Sequence, residues 1–152
     1  MSILVPFDGS SLAKSALVRA TELRDVFDER VLAVSIVPTA NAAYAREHGW
    51  IGPDEEYDRH SAVDQLGREV AELAPAAGFR HQFVGRHASA GTIARKIRDV
   101  GQEVDASLVV IGSDNAGSLV SSIHSVGTSV ASDDAFDVFI VRRPVPAAAS
   151  TA

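Results

Sequence analysis

Ser107-Leu108-Val109-Val110-Ile111-Gly112-Ser113-Asp114-Asn115-Ala116-Gly117 is the stretch whose reading decides the fold. Leu108 to Ile111 run apolar without a break into a glycine, and small and polar residues follow. An unbroken apolar run fits a strand buried on both faces, the kind found in parallel sheets. A strand that hands over to a glycine loop and then a helix presents backbone N–H groups to an anion such as phosphate. The stretch therefore predicts an α/β sheet with a candidate phosphate cradle. That cradle runs on to His124-Ser125-Val126-Gly127-Thr128.

The flanking sequence alternates between strand and helix. Ile3-Leu4-Val5-Pro6-Phe7 is a short apolar run ending in Asp8-Gly9-Ser10, and Ser10 or Ser11 suits a helix N-cap. Leu12, Ala16, Ala20, Leu23 and Phe27 then recur at helical spacing, one apolar face. Residues 30–37 form a second strand stopped by Pro38. Residues 39–54 lack periodicity, contain Gly49, Gly52 and Pro53, and read as a loop or irregular excursion. A helix is expected over roughly 55–74, a weaker strand over 79–87, and a helix over 90–104. The decisive strand covers 106–111, with a helix over 119–131 after it. Val138-Phe139-Ile140-Val141 is the fifth strand, and residues 145–152 form a flexible tail.

Five strands alternating with helices predict a doubly wound, five-stranded, mostly parallel sheet with helices on both faces. Right-handed crossovers leave few other topologies. Such folds bind ligands outside the carboxyl ends of their strands, near the switch in strand order. Asp8, Val37 and Gly112 end strands one, two and four, which makes them the positions to watch.

Composition narrows the class further. The chain has 152 residues, 46% hydrophobic and 22% charged, enough for one domain with a single core. No apolar run approaches the ~18 residues that span a bilayer. The N-terminus lacks the basic region of a signal peptide, so a cytoplasmic protein without a membrane partner is expected. The absence of cysteine excludes disulfides, thiolate metal sites and a Cys nucleophile. A net charge of −6 repels phosphate backbones, so nucleic acid is not an expected partner.

Catalytic constellations are sparse. The five histidines show no pair at metal-binding helical spacing, and no Gly-x-Ser-x-Gly elbow is present. Asp8 sits where a phospho-acceptor would, but its neighbours Gly9, Ser10 and Ser11 supply no second carboxylate for magnesium. It reads instead as a turn or capping residue, or as a group that recognises a base. Tyr44, Trp50 and Tyr57 flank the irregular stretch and read as a lid folded onto the core.

With these residues placed, the chain resembles the universal stress protein family. The resemblance lies in Ile3-Leu4-Val5-Pro6-Phe7-Asp8-Gly9-Ser10 with Ala13 and Ala16, in residues 104–112, and in Val138-Phe139-Ile140-Val141-Arg142-Arg143-Pro144. It spans residues 2–144 in order and implies one domain over 1–144 with an adenine nucleotide alpha hydrolase-like fold. It also implies an adenine-nucleotide site, with ATP or another adenine nucleotide as the ligand in many members. Carried across by position, the site comprises Pro6, Phe7, Asp8, Ile36, Gly112, Ser113, Asn115, Gly117, Ser125 and Val126. The resemblance further implies a homodimer, which would cover the apolar last strand, Val138 to Val141, if it is a sheet edge.

The phosphate side departs from the family pattern of Gly, two residues, Gly, nine residues, Gly, then Ser or Thr. Gly112 is followed three places later by Asn115. An alignment with one deletion puts Ser125-Val126 on the pattern and His124 on its last glycine. A second alignment uses Gly117, Gly127 and Thr128 but needs an insertion and a shortened helix. Asn tolerates left-handed backbone, whereas His124 adds a ring and Asp114 adds a carboxylate where a triphosphate would lie. The expectation is a binding or signalling protein with a degenerate nucleotide pocket, or none, and no catalysis. An ATP-binding member with slow hydrolysis and an AMP or nucleoside sensor are the alternatives.

Overall fold

A computed structural model of the chain describes residues 1–112 and 137–144. Five strands form one sheet: β1 (Ser2–Pro6), β2 (Arg30–Pro38), β3 (Gly78–Val84), β4 (Ala106–Gly112) and β5 (Asp137–Val141). Their order is β3-β2-β1-β4-β5, and every neighbouring pair is parallel. The described helices are α1 (Ser11–Phe27), α2 (Ala42–Glu47), α3 (Arg59–Leu73) and α4 (Ala90–Glu103). The helix expected over 119–131 lies outside the described residues.

The alternation of side chains along β1 and β2 sorts the core into two layers. Ile3, Val5, Phe7, Val31, Ala33 and Val37 face α1 and α3, where they meet Leu17, Leu66 and Val70. Leu4, Leu32 and Val34 face the other way, onto Ala94, Ile97 and Val100 of α4. β1 is the central strand, buried from both sides, and β4 beside it sends Val109 into one layer and Val110 into the other. That explains why both read as nearly continuous apolar runs.

Three sequence readings need correction. Residues 39–54 are not irregular throughout, because they contain α2. Its six residues bury only Ala45, too few to leave a periodic trace. Asn41 caps the helix by accepting a hydrogen bond from Tyr44 N at 3.0 Å. Gly49, at φ +71°, follows it in left-handed backbone. Phe27 shares the apolar face of α1 by spacing but is 54% exposed, because the last turn runs past the core. The helix expected from residue 55 begins only at Arg59, capped by Asp58.

The order of strands places the switch point between β1 and β4. The chain leaves β1 towards β2 and β3, then returns to the other side of β1 as β4. The loops after β1 and β4 therefore flank one crevice at the carboxyl ends of the strands.

Candidate functional site

The loop at residues 7–10 is held through the backbone groups of Phe7, Asp8 and Ser10. Phe7 N donates to Val34 O at 2.8 Å, and the buried Ser35 hydroxyl donates to Phe7 O at 2.6 Å. The Trp50 indole N–H donates to Asp8 O at 2.9 Å. Asp8 Oδ1 accepts from Ser10 N at 2.9 Å, an Asx turn. Ser10 caps α1 by accepting from Ala13 N at 3.2 Å, a cap of the type that contributes about 1 kcal/mol. Each bond makes a different residue responsible for the same loop.

Gly9 completes the turn at φ +81°, a backbone region that glycine enters without strain. A Cβ there would also stand 3.1 Å from Glu69 Oε2 and 3.3 Å from Leu66 Cδ2. The loop is therefore pressed against α3 as well as against Trp50. With its backbone fixed, Asp8 keeps its side chain partly exposed, at 41%. The carboxylate at the switch point is thus positioned and reachable.

Gly112 ends β4, the strand beside β1. A Cβ on it would overlap the Leu12 carbonyl and come 2.8 Å from Ala13 N, so β4 packs directly against the first turn of α1. This glycine is required by helix–strand packing, whatever else it does. The packing sets the N-terminus of α1, with its outward-facing N–H groups and positive dipole end, beside the crevice.

The other sequence-chosen positions fall into three groups. Ile36 is half-buried on the α4 side of the sheet, beside the core formed with α4. Ile93 and Ile111 are half-buried on that same side. Neither was singled out from the sequence, since each reads as an ordinary core position. Pro6, half-buried, ends β1. Phe7 is only 2% exposed, and both of its backbone polar groups are engaged, so it supports the loop from within the core. Ser113, Asn115, Gly117, Ser125 and Val126 lie outside the described residues.

The irregular stretch supplies a polar cluster that sequence reasoning did not connect to Asp8. Trp50 is 5% exposed in the core, and Tyr44 and Tyr57 pack against the same layer, as the lid reading expected. The Tyr57 hydroxyl donates to Pro38 O at 2.6 Å. His48 stacks on the Tyr44 ring at 3.9 Å between centroids, and its Nε2 lies 3.8 Å from Asp8 Oδ2. From α3, Glu69 faces Lys14 at 3.9 Å. No fixed spacing links these residues in the chain, so only the fold brings them together.

Burial dominates the electrostatics here. It pushes the Tyr44 phenol up to about 12, and the nearby Asp8 charge adds to the effect. Glu69 is also raised from the ordinary carboxylate range, first by desolvation. One of its oxygens is buried without a hydrogen-bond partner. Among the described residues no group of three or more His, Asp or Glu could hold a metal ion. None of the described helices is long and apolar enough to cross a membrane.

An all-parallel, doubly wound sheet with a fixed loop after β1 and a glycine ending β4 at its switch point is the architecture of an α/β class that takes ligands outside the carboxyl ends of its strands. The sequence profile of the universal stress protein family matches residues 1–142, and the chain belongs to that family. Among solved structures, a universal stress family protein from Burkholderia pseudomallei is 25% identical. It has a TM-score of 0.59, with 93% of this chain and 95% of that one covered. The universal stress protein from Archaeoglobus fulgidus in complex with dAMP is 20% identical at TM-score 0.55, covering 93% and 98%. A universal stress protein in complex with cAMP is 19% identical at TM-score 0.56, covering 93% and 97%. The fold they share is the adenine nucleotide alpha hydrolase-like one. No curated protein sequence matches the chain.

Proposed function

We propose that this chain is a dimeric binding or signalling protein that takes an adenine nucleoside or its monophosphate at the switch point and does not turn it over. The observation that carries this reading is the immobilised 7–10 loop, which holds a partly exposed Asp8 carboxylate at the carboxyl end of β1, beside β4 and its terminal Gly112. A carboxylate accepts hydrogen bonds and suits the N–H and O–H donors of a base or ribose. Ile36, with Pro6 near it, offers the apolar contact that a base requires. The ligands of the two relatives, cAMP and dAMP, each carry a single phosphate.

The phosphate side supports a short ligand. Asn115 and His124 replace glycines of the family pattern under the simpler alignment, and Asp114 adds negative charge. A triphosphate needs close backbone N–H approach along its whole length. ATP therefore binds more weakly than AMP in this reading, and slow ATP hydrolysis is the less favoured alternative.

Asp8→Asn is the discriminating variant, because an Asn side-chain oxygen still accepts from Ser10 N and keeps the turn. Titration calorimetry with AMP should show an affinity loss of about tenfold or more, the size of one charged hydrogen bond. Unchanged affinity in the variant would remove Asp8 from the site. The dimer rests on β5, an edge strand whose Phe139 is 42% exposed. An apolar edge of this kind is covered by a second copy about a two-fold axis.

A further inference from the structure

We propose that His48 is a positioning residue of the Asp8 site, a proton-operated latch that captures the Asp8 carboxylate when the imidazole is charged and releases it when neutral. The inference rests on the nucleoside reading of Asp8 and adds a regulator to it. The geometry fixes the tautomer. His48 Nδ1 lies 2.9 Å from the Tyr44 backbone oxygen, which can only accept, so Nδ1 carries a proton. In the neutral ring Nε2 is then a bare lone pair, and it faces Asp8 Oδ2 at 3.8 Å. Two acceptors in that position do not bond. Protonation turns Nε2 into a donor, and the same spacing becomes an attractive ion pair.

The ring has little freedom to turn away. It stacks on Tyr44 at 3.9 Å and lies 5.6 Å from the Trp50 ring, which itself bonds Asp8 O. The charged and titratable neighbours are few. On α2 they are Tyr44, which stays neutral because its pKa is about 12, Arg46 and Glu47. On the 7–10 loop there is Asp8, and Tyr57 lies close to Tyr44. From α3, Glu69 acts on the loop beside its partner Lys14. Burial holds Glu69 above the ordinary carboxylate range, and variants at His48 leave it in place, so they separate the imidazole's effect from that of Glu69.

With the carboxylate captured, one oxygen goes to Ser10 N and the other to His48, leaving fewer lone pairs for a ligand. Affinity should therefore fall as acid charges the imidazole. In the limit where only released Asp8 binds, the fall is about tenfold per pH unit below the midpoint. Adenosine is the probe, since it carries no group that titrates in this range.

Trp50 is the only tryptophan in the chain and gives an independent readout. A charged imidazole at 5.6 Å quenches indole fluorescence. In the wild type, lowering pH from about 8 to about 5 should quench Trp50. His48→Phe, which keeps the stacking ring, and His48→Gln should both abolish that transition. Adenosine affinity should fall over the same interval in the wild type and stay flat in both variants. A quench that persists in both variants, or an affinity profile shared by wild type and variants, would overturn the latch. If adenosine fails to bind at any pH, the nucleoside reading falls, and fluorescence still decides the latch: Asp8→Asn should move the quench to lower pH, and an unmoved transition would mean that His48 does not capture Asp8.

Discussion

A Cβ added at Gly112 would collide with the Leu12 carbonyl and crowd Ala13 N, both backbone atoms of α1 that cannot swing aside. Gly112→Ala should therefore destabilise the fold by about 3 kcal/mol, at the upper end of ordinary overpacking, measured by urea unfolding. A change under about 0.5 kcal/mol, the scale of a surface substitution, would show that β4 and α1 are further apart. The same clash makes a bulky residue at Gly112 a poor probe of ligand binding, because folding and binding fail together. Asp8 is cleaner, since its side chain is partly exposed and its turn survives as Asn. Asp8 and Gly112 were legible because strand ends in a doubly wound fold mark the crevice. His48, Trp50 and Glu69 were not, since they converge on Asp8 from distant parts of the chain without shared spacing.

Among the elements, α2 was the least legible and has the largest effect on the site. A six-residue helix with one buried side chain leaves no periodicity, yet it carries Tyr44 and leads into His48 and Trp50. Desolvation of Tyr44 has a consequence for stability at alkaline pH. Its folded pKa of about 12 exceeds the unfolded value near 10, so the folded chain holds the phenol proton longer. Stability from this group is complete below pH 10 and is lost as pH rises towards 12, by about 1.4 kcal/mol per unit. Tyr44→Phe should flatten that part of the pH–stability curve relative to wild type, as read by thermal melting at successive pH values. Parallel curves for the two proteins would mean that α2 does not bury Tyr44 in solution. The long elements behaved differently. Strands β1 and β4 were readable from apolar runs, and α1 and α4 from spacing, because each commits a whole face to the core.

Across the whole molecule, strand–helix alternation implied the doubly wound class, but the order of the strands was not legible in any residue, because the same alternation is compatible with several orders. The order β3-β2-β1-β4-β5 leaves β5 at one edge and sets the crevice between β1 and β4. Burial at the edge strand alternates: Asp137 and Phe139 are exposed while Val138 and Ile140 are half-buried. Phe139→Asp places a charge on the proposed pairing edge without touching the core. Light scattering should report a dimer for the wild type and a monomer for the variant. A wild-type monomer, or a variant that remains dimeric, would place the interface elsewhere or remove it. The phosphate side of the crevice was readable only as a set of departures from the family pattern, since Asn115 and His124 fall outside the described residues.

The most direct test of the central claim is a calorimetric titration of the wild-type protein with AMP, alongside ATP and adenosine, at pH 8 with and without magnesium. The account predicts saturable binding of AMP or adenosine at one site per chain, tighter than ATP and independent of magnesium. Binding of ATP alone, tightened by magnesium, would contradict it, as would the absence of heat from all three.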